Sequence, residues 1–168
     1  ATTRQLKDYS SNGLDGTLYN YFFSTNNNLA NLSISDGTLS PAFASDKNTY
    51  TVNVSNRTAT VTITPTVQDT FAKVKVNGQS VQSGNQSQQI ALNVGYNVIN
   101  ILVTAEDGTT KGYTVTVERA AELKATIASK TGVSCTGSTD GSATVSATGG
   151  SAPYTYSWSQ AGGSAATA

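Results

Sequence analysis

Covalent catalysis needs a nucleophile held beside a base, and this chain of 168 residues is rich in the first and poor in the second. Ser and Thr are plentiful and Cys135 is the one thiol. There is no His, which removes the commonest general base and the commonest metal ligand together. What remains is a Ser–Lys or Ser–carboxylate arrangement, and no local pattern sets one up. Glu118 and Glu122 could be paired as two carboxylates, but their setting reads as solvated surface charge. Asp36, Asp46, Asp69 and Asp107 stand singly in turn-like stretches, where Asp is favoured for its local hydrogen bonds; an all-oxygen metal site would need them clustered. Gly149-Gly150 reads as a turn, because no helix bearing a Lys follows to complete a phosphate cradle. The expectation is a chain without catalytic residues, metal or cofactor.

The chemistry left is that of contact. Tyr154, Tyr156 and Trp158 alternate along an expected strand, share one face and could stack on sugar rings; the competing reading makes them the core of a small β module. Tyr19, Tyr21, Phe22 and Phe23 form a second aromatic run inside a strand-like stretch from Thr17 to Phe23. Asn31, Asn53, Asn56 and Asn85 each open an N-x-Ser/Thr sequon, which chance supplies in a chain so rich in Asn, Ser and Thr. Cys135 is open to two readings, a small buried hydrophobe or a thiol whose disulfide mate lies beyond Ala168.

Charge is sparse and balanced, with ten basic and ten acidic residues and no Lys/Arg cluster to neutralise a run of phosphates, so nucleic acid is not expected as a partner. The longest apolar run, Val98 to Val103, is broken by Asn100 and far too short to span a bilayer, so no membrane insertion is expected. With no Met in the chain, Ala1 is not a translation start; the sequence is expected to be the product of signal removal or a fragment of something longer. Abundant Thr, Ser, Asn and Gly suit a secreted or cell-surface β protein.

The elements that would position these residues are short strands. Leu32 and Ile34 point one way before the Asp36-Gly37 turn; Leu39, Pro41 and Phe43 make a loop expected to plug the sandwich end with Phe43. Tyr50, Val52 and Val54 alternate inward, then Val61 and Ile63, with Pro65 expected to end that ladder because it has no N–H to donate. Val74 and Val76 lead into Asn77-Gly78, the strongest hairpin signal in the chain, with Val81 on the return. Ile90 and Leu92, then Ile99, Ile101 and Val103, then a hairpin at 106–109, then Tyr113, Val115 and Val117 complete the series. About seven short strands at this spacing predict an all-β chain: an immunoglobulin-like antiparallel β-sandwich at 29–120. Residues 1–28 are expected to be an arm or the end of a preceding module, with a turn at Ser11–Gly16, one strand, and a linker at Asn26–Asn28. Residues 121–168 are expected to be a second, partial β-sandwich repeat of some three strands, the last of them Tyr154–Trp158.

The segments LANLSISDGTLSPAF, YTVNV, VTITPTVQD, VKVNGQ and INILVTAEDGTTKGYTVTVERA, taken in that order, resemble the cadherin-like β-sandwich domains of bacterial surface and secreted proteins. Val133, Cys135, Gly137, Asp140-Gly141, Ala143, Val145, Gly149-Gly150, Pro153, Tyr154, Tyr156 and Trp158 resemble the SprB-type repeat of gliding and adhesion proteins, cut short of its closing strands. The resemblance implies a large repetitive parent exported to the cell surface by the type IX route, working as an adhesive module, stalk or filament subunit. Its expected partners are other copies of itself, neighbouring modules, or surface polysaccharide. An unpaired Tyr154–Trp158 edge and a strand-like segment at 17–23 without an evident partner in the module that follows suggest strand addition between copies, head to tail; the competing explanation is that both ends are truncation scars within a longer tandem chain. The second reading is a carbohydrate-binding accessory domain of a secreted polysaccharide-degrading enzyme.

Overall fold

A computed structural model of the chain describes residues 4–7, 17–20, 23–136 and 138–158. The strands are β1 (Arg4–Lys7), β2 (Thr17–Asn20), β3 (Leu29–Ile34), β4 (Thr49–Val54), β5 (Thr60–Val61), β6 (Ile63–Val67), β7 (Lys73–Val76), β8 (Gln79–Val81), β9 (Ile90–Ala91), β10 (Gly95–Thr104), β11 (Thr110–Arg119), β12 (Lys124–Thr131) and β13 (Ser142–Thr148). The described residues are all-β, as the alternation predicts.

Strands β3 to β11 build the sandwich. One sheet runs β4-β11-β10-β7-β8, antiparallel throughout except for β4, which lies parallel to β11. The opposing layer pairs β3 with β6 and β5 with β9. β5 and β6 are one run interrupted at Thr62, whose backbone bonds instead with the backbone and hydroxyl of Ser35. Between the layers lie Tyr50, Val52, Val61, Ile63, Val76, Ile99, Ile101, Val103, Tyr113, Val115 and Val117, all essentially solvent-free. At ~1.5–3 kcal/mol for each such side chain, this core offsets the ordering cost of a small domain. Phe43 packs on the core and stacks on Tyr50 with ring centroids 6.0 Å apart, closing the sandwich end as expected, whereas Pro41 of the same loop is exposed.

Four expectations are corrected. β6 runs straight through Pro65, which pairs with Leu32. The Pro65 carbonyl accepts from the Gly84 N–H on the side away from β3, so the missing donor would also have faced that outer edge, and the ladder to β3 loses nothing. Residues 1–28 hold two strands where one was expected, Thr17–Asn20 pairing with Arg4–Lys7, a stretch whose single Leu carries no alternation to read. Tyr21 and Phe22 lie outside the described residues, as does the turn expected at Ser11–Gly16. Tyr154–Trp158 is not a strand, so the described part of the second module is the β12–β13 hairpin followed by irregular chain. Cys135 is exposed, with its sulfur 2.9 Å from Ser138 Oγ, which disposes of the buried-hydrophobe reading.

Asn77 and Gly78 form the expected tight hairpin between β7 and β8, with φ of 47° and 82°. Two positive φ values in succession are what a two-residue turn matched to strand twist requires, and Asn-Gly tolerates them best. Residues 23–28 are laid down on the sandwich rather than free. The Asn28 carbonyl accepts from Gln68 N–H, Lys111 Nζ donates to Asn28 Oδ1 at 2.8 Å, and Asp107 N–H donates to the Ser24 carbonyl.

Candidate functional site

The aromatic residues singled out from the sequence separate into three groups. Tyr19 lies in β2, and Phe23 opens the docked linker with 59% of its surface exposed. Tyr154 and Tyr156 are half-buried. They turn back over the β12–β13 hairpin and line, with Leu123, Ala125, Val145 and Pro153, a shallow cavity of about 300 Å³. The Tyr154 hydroxyl donates to the Gly149 carbonyl, which fixes the ring against its own turn. Trp158 is also half-buried. This arrangement supports the small-core role for these side chains, not a coplanar exposed platform.

The most exposed aromatic among the described residues is one the sequence reading passed over. Tyr96, at the start of β10, is 74% exposed. It faces outward from the five-stranded sheet, where it pairs across with Glu118 of β11, which in turn pairs with Asn53 of β4. Outward Val98 and Leu102 continue the β10 row, with Thr116 and Thr51 level with Val98. Phase explains the omission. The inward set of β10 is Ile99, Ile101 and Val103, so Tyr96 and Val98 sit on the opposite face by the strict two-residue period. Asn97, which that phase points inward, does not enter the core. Its side chain accepts from Asn93 N–H at 2.8 Å and donates to the carbonyls of Asn93, Gly95 and Val117, closing the turn that carries Val94 and Gly95.

Glu118, Asn53, Val94 and Gly95 also form one wall of a cavity of about 480 Å³ at the junction of the two modules; the other wall is the turn Gly149–Ala152. Each side of the junction is hydrogen-bonded to the connecting segment. Arg119 donates through Nε and Nη2 to the Asn56 carbonyl and through Nη1 to the Leu92 carbonyl at 2.7 Å, tying the last residue of β11 to loops from both sheets. Asn56 Nδ2 donates to the Ala120 carbonyl. On the far side, the Gly150 N–H donates to the Ala121 carbonyl at 2.7 Å. Gly149 has φ of 72°, and a Cβ there would collide with the Glu122 carbonyl, so the Gly-Gly turn is required both for its conformation and for its closeness to the connecting segment.

Asp36, Asp69, Asp107 and Asp140 are each engaged by hydrogen bonds. Asp107 accepts from the hydroxyl and N–H of Thr109, Asp140 from Ser134, and Asp69 from Ser24 and the Phe71 N–H; these bonds hold each carboxyl below its ordinary range. Asp36 accepts from Gly37 N–H. Among the described residues no three His, Cys, Asp or Glu side chains converge on a point where a metal could sit. Burial raises the Tyr50 hydroxyl above its ordinary value, although it bonds to the carbonyls of Ala44 and Lys47. No helix among the described residues is long and apolar enough to cross a membrane.

Residues 127–163 match the family model of the SprB repeat. A protein of Evansella cellulosilytica named "Putative membrane protein" is 46% identical over 103 residues, covering 61% of this chain and 16% of the relative. The chain therefore spans a small part of that protein's length. Both modules are of surface or extracellular structural types, not typically enzymatic. Residues 29–120, more than half of the chain and the whole β3–β11 sandwich, match the family model described as a cadherin-like beta sandwich domain, and the chain belongs to that family.

Proposed function

We propose that this chain is a non-catalytic structural and adhesive stretch of an exported surface protein, which assembles with further copies or modules by strand addition at its two ends. The observation that carries this reading is the imbalance between its centre and its ends. The strands of the sandwich pack in two layers around one core, whereas among the described residues β1–β2 at one end and β12–β13 at the other are two-stranded sheets without a second layer. A two-stranded hairpin is marginal in water and gains independent stability when further strands or a packed face are added. Every residue of β12 is exposed, and Ile127 and Leu123 stand out from that hairpin as apolar groups. An edge of this kind is a template for another strand. The N-terminal hairpin of one chain laid along the β12 edge of the next gives a head-to-tail contact that repeats.

Sedimentation of the intact chain over a range of concentrations, beside a chain lacking residues 1–22, tests this reading. The intact protein is expected to associate with rising concentration and the shortened one to remain monomeric, with Ile127→Lys behaving like the shortened chain because a charge blocks edge pairing. Monomers throughout, for all three proteins, would show a passive spacer.

A further inference from the structure

We propose that the junction cavity together with Tyr96 is a binding site for a neutral saccharide chain, read by a ring face and two hydrogen-bonding side chains. It is built within one chain and does not depend on assembly between copies.

The first argument is the row itself. Asn53, Glu118 and Tyr96 are direct neighbours across three adjacent strands, on the same outward face. Strand spacing of about 4.8 Å places an amide, a carboxylate and an aromatic ring along roughly 10 Å, which is the order of length of a disaccharide. A pyranose presents C–H groups on one face and hydroxyls around its edge. The C–H face lies against the electron-rich face of a tyrosine ring, and the edge hydroxyls both donate to a carboxylate and accept from an amide.

The second argument is what is already committed and what is not. Around this cavity the polar groups that could hold the fold are engaged: Arg119 with Asn56 and Leu92, Asn56 with Ala120, Asn97 with its turn. The Asn53 amide, the Glu118 carboxylate and the Tyr96 hydroxyl have no partner among the described residues. Those three are therefore available at no structural cost, on a frame whose neighbouring turns are held by Asn97 and Arg119. A rigid frame reduces the ordering that binding must overcome.

The third argument is shape and charge. The cavity of about 480 Å³ falls in the ~300–1,000 Å³ range of small-molecule sites, and its mixed polar and apolar walls suit a ligand that is itself amphipathic. One carboxylate without acidic neighbours does not make a cation site. Glu118 also repels a uronate, while the Arg119 guanidinium is already occupied by backbone carbonyls, so the ligand is neutral.

Titration calorimetry of the intact protein with cellohexaose, laminarihexaose, mannohexaose and a hexagalacturonate tests the site. At least one neutral hexasaccharide is expected to bind and the hexagalacturonate not to. Tyr96→Ala is expected to weaken the binding by about tenfold or more, and Glu118→Gln and Asn53→Ala to weaken it less. All three positions are exposed, so the melting temperature should stay unchanged and a loss of binding cannot be charged to unfolding. Tyr156→Ala, in the other module, should leave binding intact if Tyr96 is the platform. The proposal is overturned if no neutral probe binds at millimolar concentration, if only the acidic probe binds, or if Tyr96→Ala binds as well as the parent.

Discussion

Replacing Tyr113 with Phe removes one oxygen from the centre of the sandwich and isolates its role. That hydroxyl accepts from the Leu29 N–H at 3.0 Å, and both residues are buried. Tyr113 belongs to β11, the last strand of the module, and Leu29 is the first residue of β3 in the opposing layer. The bond thus joins the first strand to the last across the core. In Tyr113→Phe the ring still fills its place, so no cavity opens, but the Leu29 N–H faces apolar atoms without an acceptor. Leaving a buried donor unpaired costs about 1–3 kcal/mol, partly offset because the hydroxyl itself no longer has to be desolvated. A net loss of about 1–2 kcal/mol is expected, which for a module of this size lowers the melting temperature by roughly 5–15 °C at ~4–8 °C per kcal/mol. Calorimetry of the intact chain gives the shift. Hydrogen exchange supplies the sharper readout, since the Leu29 amide should lose protection more than its neighbours in β6. A melting temperature within a degree of the parent, with Leu29 still protected, would refute the reasoning and show that this N–H finds a second acceptor.

Gly78→Val should destabilise the module by roughly 1–2 kcal/mol, because φ of 82° is strained for a β-branched side chain even though the space around it is open; an unchanged denaturation midpoint would mean that the turn relaxes to another type. Thermal melts in calcium and in excess chelator should superimpose, since a cation that bound the native state would raise its stability with concentration, and Asp36, Asp69 and Asp107 each already accept from their own turns. A shift of several degrees would revive a cadherin-type calcium site.

What the sequence discloses well is which face a residue takes, and what it withholds is which strand lies beside which. The inward positions of β4, β7, β10 and β11 follow from a two-residue period, and the Asn77-Gly78 turn from the chemistry of positive φ. The parallel contact of β4 with β11 joins segments some sixty residues apart, and no local signal encodes it. Leu29 reaches the core through a register shift between it and Asn31, which breaks the period that would have placed Leu29 with Asn31 and Ser33. The Tyr96 site was illegible for the same reason. Its three side chains come from positions 53, 96 and 118, and only the pairing of β4, β11 and β10 puts them in a row. The Tyr154–Trp158 alternation, by contrast, is a real strand pattern in a segment that forms no strand among the described residues, where Tyr154 and Tyr156 fold onto the hairpin before them.

The manner in which the loops are fastened explains how a chain with so few charges holds its shape. Asn77 Oδ1 accepts from Asn100 N–H, Ser87 Oγ from Ile63 N–H, Ser83 Oγ from Val67 N–H, and Asn97 spans its whole turn. These are bonds between neutral side chains and backbone, so neither salt nor moderate changes of pH weaken them as they would exposed ion pairs. The serines serve a further purpose. Ser83 and Ser87 cap the N–H groups on the outer edge of β6, the edge where Pro65 offers none, and so the segment 83–87 covers that edge without forming a regular strand. The outer edge of β6 is therefore sealed with hydroxyls, whereas β12 pairs with β13 alone among the described residues.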